Sequence, residues 1–157
     1  MTFHARAHDS ANASALPLLE EWKRLTQAGL QASRAHCAAH ALTWHVKALR
    51  VANRLLLQPF DGVADDDRLA AFVVAHLNIA DCYTDMGQHS EAAECVDCAH
   101  HRLLRLLQDE ATPYPLRQAA YRQLHQTFAA QSQPTPACVA TSQTLPSFMP
   151  PTGSLLH

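Results

Sequence analysis

The chain has 157 residues, 48% of them hydrophobic but only 6% aromatic, so alanine and leucine supply most of the apolar content. That length suits one domain with a real core, and the small-residue bias favours closely packed helices over a β-sandwich. Lys+Arg 12 against Asp+Glu 14 leaves a formal charge of -2, which provides no electrostatic footprint for nucleic acid.

Five cysteines follow an N-terminus, Met1 to Arg6, without the apolar stretch of a secretory leader. The longest apolar run, Leu69 to Ala75, ends at His76 and is too short to span a bilayer. A cytoplasmic protein with free thiols and no membrane partner is expected.

Taken in order, residues 1–14 read as a flexible N-terminus and 15–131 as a helical domain. A first helix opens at Pro17, with Ser14 as cap, and runs to about Ser33. It would bury Leu18, Trp22, Leu25, Ala28, Gly29 and Ala32. After a turn at Arg34-Ala35, a second helix reaches about Leu57 with the stripe Ala41, His45 or Val46, Ala48, Leu49, Ala52, Leu55 and Leu56. Pro59 ends it, and Phe60-Asp61-Gly62 makes a loop.

Asp65, Asp66 and Asp67 are placed to cap the third helix, about Asp66 to Asp85, and to complement its dipole. Gly87, free to take positive φ, reverses the chain. The fourth helix, about Ser90 to Gln108, is capped by Ser90 or His89. A fifth, Pro115 to Gln131, carries Leu116, Ala119, Ala120, Leu124 and Phe128 on one face. Residues 132–157 hold five of the nine prolines and read as a flexible Pro/Ser/Thr-rich tail.

An offset of 51 residues lays the first helix pair over the second. Gly29 then falls on Ala80, Ala41 on Ala92 and Ala48 on Ala99, small residues where antiparallel helices approach most closely. With these positions in hand, Val73 to Leu106 resembles a tetratricopeptide repeat, a helix-turn-helix unit of ~34 residues. The family's small eighth residue is matched by Ala80, its tyrosine by Tyr83 and its turn glycine by Gly87. Its two later alanines are matched by Ala92 and Ala99, with Val96 at the bulky place between them. His76 stands where the family has a tryptophan, and Leu104 where it has a late proline. Residues 22–56 form a weaker copy, with Ala32 for the tyrosine and His36 for the glycine.

The resemblance implies an all-α, right-handed stack of two antiparallel helix pairs, with the helix at 115–131 as a cap. A homodimer covering the same face is the alternative arrangement. It also implies a groove that binds protein segments, where Thr26, Leu30 and Ser33 face Leu77, Asp81 and Thr84. Asp81 and Asp85 would repel a free carboxylate terminus, so a basic or neutral segment is expected; otherwise both aspartates simply face water. No cofactor is expected.

Catalytic signals are missing from the sequence: it has no phosphate loop, no nucleophile elbow and no HExxH. Cys95-Val96-Asp97-Cys98 is a single CxxC, without the second pair of a zinc site or a histidine directly after it for haem, and reads as packing thiols. The competing reading is a metal-binding protein using His36 and His40, spaced i, i+4, with His89 as a further ligand.

Overall fold

The computed structural model describes residues 15–57 and 62–133. They form five α-helices and, among the described residues, no strand: α1 Leu16–Arg34, α2 Ala38–Leu57, α3 Asp65–Asp85, α4 His89–Gln108 and α5 Tyr114–Gln131. Each helix packs against the next, and α3 also touches α1 and α5, while α2 and α4 do not pack on each other. The sequence expectation of an all-α fold with five helices holds.

Pro17 sits in the first turn of α1, where its missing N–H costs nothing. The capping residue is Ala15, without a side-chain bond; Ser14, Pro59, Phe60 and Asp61 lie outside the described residues. The aspartates that open α3 do not cap it either. Ala64 holds that place, and Asp65 and Asp66 are drawn off by arginines. Asp65 pairs with Arg68, whose Nη1 donates to the Leu55 carbonyl at 3.3 Å and fastens α3 to the end of α2. Arg122 Nε donates to Asp66 Oδ1 at 3.0 Å, tying α5 to α3. Gln88 occupies the cap of α4, again without a side-chain bond, rather than Ser90 or His89.

The two interhelical turns within the pairs use one hydrogen-bond scheme. After α1, Ala35, His36 and Cys37 donate to the carbonyls of Gln31, Ser33 and Ala32. After α3, Met86, Gly87 and Gln88 donate to Cys82, Thr84 and Tyr83, each 51 residues further on. This closes orphan carbonyls by a left-handed residue, and the residue is Gly87 at φ 74 in one turn and His36 at φ 58 in the other.

The main core runs through all five helices, and Leu55, Leu69 and Leu103 are fully enclosed. Each contributes roughly 1.5–3 kcal/mol by burial. His45, not Val46, takes the buried position on α2. A Cβ on Gly29 would stand 2.4 Å from His45 Cε1, so the ring fits only because α1 has no side chain there. On α5, Leu116 and Leu124 are partly buried and Ala119 and Ala120 fully so. Phe128 is exposed instead of buried, and Thr127 takes its place with Oγ1 2.8 Å from His100 Nδ1.

Candidate functional site

Two cavities open on either side of α3. The first, about 290 Å³, is walled by Leu30 and Ser33 of α1, His45 of α2, and Asn78, Asp81, Thr84 and Asp85 of α3. The second, about 550 Å³, lies between α3, α4 and the end of α5, with Leu77, Ala80, Val96 and Ala130 among its walls. Asp81 and Thr84 line both and form the ridge between them. The offset of 51 carries one cavity onto the other: Leu30 falls on Asp81, Ser33 on Thr84 and His45 on Val96.

Five of the seven residues expected to line the groove meet in the first cavity: Leu30, Ser33, Asp81, Thr84 and Asp85. Thr26 does not, because it is buried on the inner flank of α1. Leu77 also leaves this set; it packs on the core and faces the second cavity. Asn78 also lines the first cavity, and so does His45, which the sequence did not single out as a wall residue. The signal that could have found His45 is its repeat partner Val96, which lines the second cavity in the same place.

Burial raises the Asp81 carboxyl above the usual carboxylate range, and the charge of Asp85 one turn away raises it further. Below the ridge, burial pushes the Cys82 thiol up, while the Ser33 hydroxyl beside it pulls the other way. His45 and His76 are both held below the ordinary histidine value by desolvation. Among the described residues, no lysine or arginine lines either cavity, whereas Asp81, Asp85 and Asp97 do.

The residues of the metal reading lie in three settings. His36 is in the turn ahead of α2, which begins at Ala38, so His36 and His40 do not share a helix face. His40 Nε2 accepts from Trp44 Nε1 at 3.1 Å. His89 starts α4 beside the second cavity. Among the described residues, no three His, Cys, Asp or Glu side chains are grouped to hold a metal ion.

Of the CxxC pair, Cys95 is half-buried and its thiol is pushed up by burial. Cys98 is exposed, contrary to the packing role expected of it. The outer face of α5 presents Tyr114, Tyr121 and Phe128, 65%, 73% and 63% exposed and spaced by seven residues along one line.

No helix of the described residues is long and apolar enough to cross a membrane. The molecule is thus an all-α protein in which a central helix separates two cavities poor in cations. The chain belongs to the family described as protein of unknown function (DUF2753), whose model matches residues 20–141. No curated protein and no solved structure matches the chain.

Proposed function

We propose that this is a non-catalytic, tetratricopeptide-like interaction module that binds a basic or neutral protein segment along the groove formed by the two cavities. The observation that carries this reading is the lining: three carboxylates, from Asp81, Asp85 and Asp97, and, among the described residues, no lysine or arginine. Such a wall attracts cations and rejects a free carboxylate terminus. The matched turns after α1 and α3, and the contact of α3 with α1 and α5, support a stack of related helix pairs. The exposed aromatic line on α5 supports a second contact face at the end of the stack, for a partner or another copy of the chain. Free thiols at Cys37, Cys82, Cys95 and Cys98 suit a cytoplasmic setting.

Selection of random dodecapeptides displayed on phage against the full chain tests the groove. Enriched peptides should be basic or neutral. They should lose about tenfold or more in affinity for Thr84→Trp, which fills the groove, and keep it for Glu94→Trp on the exposed side of α4. Equal binding to both variants, or enrichment of acidic peptides, contradicts the proposal.

A further inference from the structure

The described chain ends on the rim of the larger cavity. After α5 closes at Gln131, Ser132 N–H donates to the Phe128 carbonyl, and Gln131 Nε2 donates to Asp97 Oδ1 at 2.7 Å, fixing the end of the helix against α4. Gln131 and Gln133, the last described residue, both line the cavity. Whatever follows Gln133 therefore starts at its mouth.

The floor of this cavity is apolar. Ala80, Ala92 and Val96 are buried there in one cluster, with Leu77 and Ala130 packed on it. Ala93 of α4 and Ala129 of α5 are exposed at the mouth. The volume of about 550 Å³ lies within the ~300–1,000 Å³ of ligand sites, and its cube root, about 8 Å, is the span of two or three extended residues.

The sequence supplies a segment that fits. Residues 134–141 read Pro-Thr-Pro-Ala-Cys-Val-Ala-Thr, without a charged side chain. Pro134 and Pro136 cannot extend α5, and each disfavours helical backbone in the residue before it. An extended chain of six residues reaches up to about 20 Å, so Val139 can cross the cavity from Gln133. The segment brings no carboxylate against Asp81 and Asp97 on the walls. The family model is a second, independent pointer: it runs to residue 141, past the last described residue and short of Leu145 and the prolines beyond it. The matched unit thus includes this segment.

Attachment favours this occupant over a foreign one. A short tether gives an effective concentration on the order of 1 mM, so an intrinsic dissociation constant of about 100 µM leaves about ten closed molecules for each open one.

We infer that residues 134–141 fold back across the larger cavity, with Val139 against Leu77, Ala80 and Val96, and that a foreign segment must displace them to use that half of the groove. This rests on the groove reading above and adds a built-in competitor to it.

The test uses the full chain, ¹⁵N-labelled, with Val139→Ser in the segment, Ala93→Trp at the cavity mouth and, as control, Glu94→Trp outside the cavity. Val139→Ser should shift the backbone amides of Ala80, Ala92 and Val96, on α3 and α4, and leave Leu30 and Ser33 in place. Cys138 gives a second readout. Its alkylation by iodoacetamide, followed by mass spectrometry, should be about tenfold faster in Ala93→Trp and Val139→Ser than in the wild type or Glu94→Trp. Val139→Ser leaves the helical core untouched, so its result stands even should Ala93→Trp fold poorly.

Unmoved amides in Val139→Ser, or equal alkylation of Cys138 in all four proteins, would overturn the contact. So would loss of protection on about hundredfold dilution, because the segment of a second copy would then be the occupant. If phage-selected peptides depend on Thr84 while Val139→Ser moves none of the three amides, the contact fails and the groove stands. If Val139→Ser moves them while no displayed peptide depends on Thr84, the contact stands and the reading as a site for foreign segments fails.

Discussion

The two helix pairs solve the same packing problem with different residues. In the second pair, Ala80 packs in one cluster with Ala92 and Val96, and Gly87 takes the left-handed turn. In the first, Gly29 lies under the buried ring of His45, and a histidine occupies the left-handed position at φ 58. Gly with His thus stands where Ala with Val stands 51 residues later, the larger partner compensating the smaller. The second pair uses residue types that its backbone favours. The first accepts a strained turn residue, and it is the pair that contributes His45, Leu30 and Ser33 to the smaller cavity.

Exchanging the partners is the sharpest way to break this comparison. Gly29→Ala drives a Cβ into His45, and overpacking of about 1–3 kcal/mol, less the ~1 kcal/mol gained in helix propensity, should leave the protein destabilised. Adding His45→Val recreates the second pair's combination and should recover most of the loss. Urea unfolding of the wild type and both variants reads this directly, and a double variant no better than Gly29→Ala would refute the equivalence.

The turns come next. Gly87→Ala should lose about 1 kcal/mol, because a side chain at that φ is disfavoured. His36→Gly should gain about 0.5 kcal/mol, the relief of strain being partly offset by glycine's unfolded-state entropy. Opposite signs in the same denaturation series are the expected result.

Acid should weaken the fold through the two desolvated histidines. Their values lie below 6.5 in the folded state, so the unfolded chain takes up protons first as pH falls. Stability is complete above 6.5 and declines below it, toward the lowered values. Asp81 acts in the opposite sense: its raised value means that its charge opposes folding near neutrality, and this is relieved as pH falls through that value toward 3.8. Thermal midpoints from about pH 7 to about pH 5 should therefore drop, and the Gly29→Ala/His45→Val protein should drop less.

The smallest effect is expected on the terminal helix. Tyr121→Ser and Phe128→Ser should change stability by no more than about 0.5 kcal/mol, as exposed positions do. A loss of about 2 kcal/mol or more would mean that this face is covered.

How much was legible in the sequence follows from the same physics. Helix ends at Leu57, Asp85 and Gln131 were readable to within a residue or so, because proline, Gly87 and apolar period mark them locally. Side-chain caps were not, since Asp65 is taken by Arg68 one turn on and Asp66 by the distant Arg122. Hydropathy could not choose His45 over Val46, because the choice depends on the space above Gly29 on another helix. Phe128 misled for the opposite reason: its hydrophobicity suggested the core, but the adjacent Thr127 has the geometry to reach His100. The groove residues on α3 were legible from the repeat phase, whereas the unpartnered amide nitrogen of Asn78 was not, because an orphaned amide is visible only once its surroundings are known.

The central claim is that the groove across α3 is the binding surface. Amide shift mapping of the full chain with a phage-selected peptide tests it most directly. Perturbations at Leu30, Ser33, Asp81, Thr84 and Ala130, on both sides of the ridge, are predicted. Perturbations confined to Lys47, Arg50 and Glu94 on the outer faces of α2 and α4 would contradict the account.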